Sequence, residues 1–138
     1  MSDGSACFDL TVTNNIAAGC RFAAFIAPGH DCGISGGSNR FKNNVAHSTE
    51  GAGGAVYPDK LVGKNHNQCY EISYFAAYKT TLPGLAAFYP VDEIRAHHIT
   101  IIDTLKGVSL QTGKDGEDLK IRFADSHIYG ETEALDCP

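Results

Sequence analysis

Tryptophan is absent from the 138 residues, and Lys and Arg number only 11 against 16 Asp and Glu. The resulting charge of −5 comes without any basic stripe, so no nucleic-acid partner is expected. No apolar run approaches the ~20 residues of a membrane-spanning helix, so no membrane span is expected either. Met1–Phe8 has neither the charged head nor the apolar stretch of a signal peptide. The five cysteines (Cys7, Cys20, Cys32, Cys69 and Cys137) show no C-x-x-C spacing, which removes zinc ribbons and thioredoxin-type motifs. No Asn-x-Ser/Thr glycosylation acceptor occurs. Gly33–Gly37 and Gly51–Gly54 lack the Lys-Ser/Thr ending of a phosphate loop and read as tight corners. No long window carries a 3.6-residue period with caps; a single helical turn at Asp92–Arg95 is the most that is expected.

What the chain does have is a repeat. TVTNNIAAG (from Thr11), RFKNNVAHS (from Arg40), EISYFAAYK (from Glu71), HITIIDTLK (from His98) and KIRFADSHI (from Lys120) line up, with starts 29, 31, 27 and 22 residues apart. One column reads Val12, Phe41, Ile72, Ile99, Ile121, and the next residue is polar each time: Thr13, Lys42, Ser73, Thr100, Arg122. Each copy therefore opens as a short half-buried strand and then turns a corner. A second apolar strand follows in three copies, as AAFIAP, GAVYP and AAFYP, with GVSLQTG in the fourth. Copies of 20–30 residues that cannot bury their own apolar faces suit stacking. The expected fold is all-β, a right-handed parallel β-helix of about five rungs, formed as one domain over residues 1–138. Residues 1–8 would be an N-terminal cap or a cloning remnant, and 129–138 a C-terminal cap.

Stacking gives the paired asparagines a purpose. Asn14 and Asn15 on one rung and Asn43 and Asn44 on the next would form a side-chain amide ladder, at a corner whose left-handed backbone Asn tolerates. The alternative is a pair of unrelated surface turns. Among the cysteines, Cys20 and Cys32 are the natural disulfide pair, closing a loop around APGHD; an odd total leaves one thiol free or paired elsewhere. The loops expected to project are Pro28–Ser38, Pro58–Gln68 and Gln111–Asp118.

No metal or cofactor is expected. His30 and Cys32 could reach one ion, His47 and His127 fall in one column on non-adjacent rungs, and His97 and His98 should point to opposite faces of a strand. Asp103 and Asp125 share a column on the last two rungs, where earlier rungs place Ile16, Val45 and Ala76. Stacked carboxylates ~5 Å apart would perturb each other's pKa. That face, with Arg95, Lys106, Lys120 and Arg122 nearby in sequence, would suit a polysaccharide-acting β-helix enzyme; the plainer reading is two turn-capping aspartates. A small secreted ribonuclease offers another alternative, with Glu71 as base, His127 as acid and Arg95 stabilising the phosphorane. A Cys7–Cys137 bridge would favour it.

NRFKNNVAHSTEGAGG, CYEISYFAAYKTTLPGLAAFYP, ITIIDTLKGVSL and RFADSHIYGETEALDCP resemble consecutive rungs in the large extracellular proteins of the fibrocystin and fibrocystin-L family, from about Asp9 onward. The NNVAHS corner, the CYEISYFAAYK strand and SHIYGETEALDC are the most specific parts. The resemblance implies a right-handed parallel β-helix from a long ectodomain associated with cilia and cell surfaces; related hyaluronan-binding proteins connect that helix to glycans. Family members carry a signal peptide and a membrane anchor, and this chain shows neither, so it resembles a segment of that helix or a small relative made of the segment alone. The expected role is non-enzymatic, structural or adhesive, and extracellular. The expected partners are neighbouring solenoid segments or further copies of the chain, and a glycan or protein ligand.

Overall fold

The computed structural model describes residues 11–26, 30–31, 41–56, 69–87, 93–110 and 120–130. In chain order the strands are β1 (Val12–Thr13), β2 (Ile16–Ala18), β3 (Ala23–Ile26), β4 (His30–Asp31), β5 (Phe41–Lys42), β6 (Asn44–Thr49), β7 (Ala52–Val56), β8 (Cys69–Thr80), β9 (Leu85–Ala87), β10 (Glu93–Thr104), β11 (Val108–Leu110), β12 (Lys120–Ala124) and β13 (His127–Tyr129). There is no helix among the described residues. The expected turn at Asp92–Arg95 is replaced, at Glu93–Arg95, by the start of β10, where pairing to β8 and β12 decides the backbone.

A seven-stranded sheet runs in the order β12-β10-β8-β6-β2, with β13 also on β10 and β4 on β8. A four-stranded sheet runs β11-β9-β7-β3, and β1 pairs with β5. All pairings are parallel except β4 with β8. Each pass of the chain thus lies beside the previous one: Val12 beside Phe41, Asn44 beside Phe75, Phe75 beside Ile99, and Thr100 beside His127.

The first three passes lie as aligned in the sequence, but the fourth is set differently on the third, and the fifth on the fourth. Ile72 lies beside Ala96, not Ile99, and Ile121 lies beside Ile94. The core explains the choice. This register keeps Ile72, Phe75, Ala77, Ile94, Ala96, Ile99 and Ile101 all buried. The alternative would stack Ile72 on Ile99 at the cost of the other matches.

Two corners bend each of the first four passes, and the first of them recurs in the fifth. Asn14, Asn43, Tyr74, His98 and Asp125 have φ of 58, 56, 50, 56 and 48°. Gly19, Ser48, Lys79 and Asp103 have φ of 67, 51, 53 and 52°. By register each set occupies the same level on successive passes. A left-handed residue breaks strand alternation. Before the first corner Ile94 and Ala96 face inward, and after it Ile99 and Ile101 do. Just past the second corner, the hydroxyls of Thr49, Thr80 and Thr104 each donate to the carbonyl two residues on, at 3.0, 2.6 and 2.9 Å.

The core lies between the two larger sheets. The ring centroids of Phe25, Phe41 and Phe75 stand 5.7–5.9 Å apart, in edge and tilted contacts that favour aromatic pairs. Farther along, the sheets pinch together: a Cβ on Gly53 would come within 2.6 Å of Ala77 Cβ, and one on Gly84 within 2.6 Å of Ile101 Cγ2. Cys20 is a free thiol, so the expected Cys20–Cys32 bridge is not formed. Its Sγ turns instead toward the Ala18 carbonyl, 3.7 Å away, at the level of the turn-closing Thr49. Cys32, the N-terminal cap, residues 131–138 of the C-terminal one and most of the three projecting loops lie outside the described residues, while Tyr129 belongs to β13.

Candidate functional site

The asparagines at the first corner bond across passes. Asn43 Nδ2 donates to Asn14 Oδ1 at 3.2 Å. Asn44 Oδ1 accepts from Asn15 Nδ2 and from the Asn15 backbone N–H, both at 3.0 Å. Asn44 Nδ2 donates to the Val12 carbonyl at 2.8 Å. At the far end of the same column Ser126 takes the analogous place, its Oγ accepting from the Ile99 N–H at 3.0 Å.

Polar chemistry gathers on the outer face of β8, β10 and β12, just before that corner. Glu71 and Arg95 are register partners, and so are Arg95 and Arg122. Arg95 Nε donates to Glu93 Oε1 at 2.7 Å, and Arg122 Nε lies 3.4 Å from the same oxygen. The Arg95 hydrogen bond holds the Glu93 carboxyl below its ordinary pKa; partial burial opposes this, and the charges of Arg95, Arg122 and Lys120 reinforce it. The same hydrogen bond raises the Arg95 pKa.

Next to this ion cluster, His97 Nε2 lies 3.2 Å from Glu71 Oε1. His97 Nδ1 lies 3.0 Å from His98 Nδ1. The Tyr74 ring stacks on His98 with centroids 4.5 Å apart and planes 17° apart. The two histidines do not point to opposite faces as strand alternation would have them do. The left-handed backbone at His98 turns both rings outward.

The other sequence-derived candidates separate. Asp103 sits at the second corner, level with Lys79, and Asp125 at the first, level with His98. The expected column of two stacked carboxylates does not form, because the fifth pass is set differently on the fourth. His47 stacks on Tyr78 with centroids 4.9 Å apart, and His127 lies beside Thr100, so these two histidines do not share a column either. Of the ribonuclease-type set, Glu71 and Arg95 come together, but the histidine at Glu71 is His97, while His127 lies beyond the corner.

Sequence reasoning passed over Tyr74, His97 and His98 as a unit. One signal was present in the His-His pair, since His joins Asn and Asp among residues enriched at positive φ. Among the described residues no group of three or more His, Cys, Asp or Glu side chains converges to hold a metal ion, and no helix is long and apolar enough to cross a membrane. No protein-family model, curated protein or solved structure matches the chain.

Proposed function

We propose that the passes wind as a right-handed parallel β-helix of about five rungs, and that the chain is a non-enzymatic structural or adhesive element that assembles by stacking end to end. Right-handed crossovers are the rule for parallel strands in one sheet, which supports the handedness. The observation that carries the function is the exposed apolar face of the fifth described pass. Ile121, Phe123 and Ile128 lie level with the fully buried Ile94, Ala96 and Ile101, yet are 46, 36 and 51% exposed. They stand at core positions that no further pass covers among the described residues. Strands β12 and β13 each pair only with β10, so one backbone edge of each is unpaired among the described residues. The first pass of a second copy would supply a parallel edge of the same geometry, in a heterologous contact that propagates. An extracellular setting and kinship with the fibrocystin family belong to the same proposal, supported by the sequence resemblance.

Sedimentation or light scattering across concentration tests it. The parent chain should rise above its 14.7 kDa monomer mass with concentration, and Phe123→Lys combined with Ile128→Lys should hold it at monomer mass. A parent that stays monomeric up to about 100 μM, where even weak specific contacts show, removes the proposal.

A second reading rests on one contact. The 3.2 Å approach of His97 to Glu71, with Arg95 level with Glu71, supplies a base, an acid and a cation of the ribonuclease type. Cleavage of RNA by the parent and its loss in His97→Ala would establish that reading; no turnover dismisses it.

A further inference from the structure

His97 and His98 stand at the first corner, whose left-handed backbone recurs on successive passes; particular to this pass is that two imidazoles meet there. Adjacent residues of a strand present their side chains to opposite faces. Here φ of 56° at His98 rotates the second ring to the side of the first, and both nitrogens named Nδ1 face each other at 3.0 Å. Each ring is held from behind. Glu71 Oε1 stands 3.2 Å from His97 Nε2, so that nitrogen carries the proton and donates it, and the lone pair is left on Nδ1. Tyr74 lies flat against His98. A carboxylate behind an imidazole, with the opposite nitrogen free to donate electrons, is the arrangement that orients metal-ligating histidines.

We propose that His97 Nδ1 and His98 Nδ1 form a two-nitrogen chelate for a divalent transition-metal ion of tetragonal preference, with Cu(II) the best match. The bite is compatible with that class. Two metal–nitrogen bonds of ~2.0 Å spanning the 3.0 Å gap enclose an angle of roughly 95°. That is close to the cis angle of a square-planar site. Imidazole also suits Cu(II), which heads the divalent affinity order. With the ion absent, one Nδ1 must carry a proton toward the other. Binding asks His98 to exchange its Nδ1–H tautomer for the Nε2–H form, with no net proton change when both rings are neutral. No third His, Cys, Asp or Glu side chain converges on the pair among the described residues. The other equatorial positions are thus left to water or to a donor from another molecule.

Two other histidines in the structure are internal controls. His47 Nδ1 faces the Ser48 hydroxyl at 3.2 Å and its ring stacks on Tyr78. His127 stacks near Tyr129, with centroids 6.1 Å apart. Each offers a single imidazole.

The experiment is a Cu(II) titration of the full chain with its five cysteines blocked by iodoacetamide, read by electron paramagnetic resonance and by competition with a chromogenic chelator. The expected result is one equivalent bound with hyperfine splitting from two imidazole nitrogens. His97→Ala and His98→Ala should each weaken binding at least about tenfold, and Glu71→Gln about tenfold or more through loss of the orienting carboxylate. His47→Ala and His127→Ala should leave it unchanged. A two-nitrogen signature that survives in the chain carrying both His97→Ala and His98→Ala overturns the proposal, as does its absence from the parent. Should a variant fail to fold, diethyl pyrocarbonate modification of the parent decides. Cu(II) must protect His97 and His98 but not His47 or His127, and equal labelling of all four with and without the ion refutes the site.

Discussion

Asn44 Oδ1 receives both the side-chain amide and the backbone N–H of Asn15, each at 3.0 Å, from a position with no solvent exposure. The following passes place Phe75 and Ile99 in the same inward column. The column therefore tolerates an apolar side chain by shape, and the asparagine is there for its hydrogen bonds. Asn44→Leu should keep the packing, yet leave the Asn15 N–H and the Val12 carbonyl without partners. The expected loss is about 1–3 kcal/mol, read from chemical denaturation. A denaturation midpoint equal to the parent's would show that the ladder adds nothing.

Asn43 separates conformation from hydrogen bonding one residue earlier. Its φ of 56° is a left-handed value that β-branched residues adopt at real cost. Asn43→Gly removes the 3.2 Å bond to Asn14 but keeps the backbone at ease, and should cost under about 1 kcal/mol. Asn43→Val removes the bond and adds strain, and should cost about 2 kcal/mol more than the glycine variant. Equal midpoints for the two would mean that the corner is not held left-handed in solution.

The Asn corner shows how much of this fold could be read from residue types. Where the left-handed position is filled by Asn14 and Asn43 the passes align correctly, because Asn advertises that backbone, and the flanking apolar columns carry the alignment on to the third pass at Tyr74. Between Tyr74 and His98 no Asn marks the corner and the I-x-I pattern takes over, pulling Ile72 onto Ile99 when the structure sets it beside Ala96. That slip hid the convergence of Glu71, His97 and His98, and a second one, setting Ile121 on Ile99 in place of Ile94, put Asp103 and Asp125 into a false common column. Alternation alone could not recover it, since a positive φ reverses which residues face inward, and nothing in Tyr74 announces that reversal.

Gly53 tests the pinch between the sheets. A Cβ there would stand 2.6 Å from Ala77 Cβ and 2.6 Å from the Gly84 carbonyl oxygen, one of them backbone that cannot swing aside. Gly53→Ala should therefore destabilise by about 1–3 kcal/mol through overpacking, despite the lower chain entropy of alanine in the unfolded state. Gly130→Ala, with nothing within 4 Å of the added methyl, is the control and should melt with the parent. Matching losses at the two positions would point to backbone entropy rather than sheet separation.

Acid sensitivity should trace to Glu93. Its carboxylate accepts from Arg95 Nε at 2.7 Å and lies 3.4 Å from Arg122 Nε, and its pKa is lowered from the ordinary 4.5. A carboxyl whose folded pKa is depressed stabilises the fold above its unfolded pKa, and that contribution disappears as the pH falls through the folded value. Arg95, its own pKa raised, stays charged throughout, so the carboxylate alone is titrating in this pair. Thermal melts of the parent should hold steady above about pH 5 and decline below 4.5. Glu93→Gln should melt lower than the parent near neutrality, with the gap closing as the pH drops. Added salt should narrow that gap, because Arg95 and Arg122 are partly exposed and their charges are screened. Parallel pH profiles for the two chains would place the acid sensitivity elsewhere and reduce the Arg95–Glu93–Arg122 cluster to a solvated surface contact.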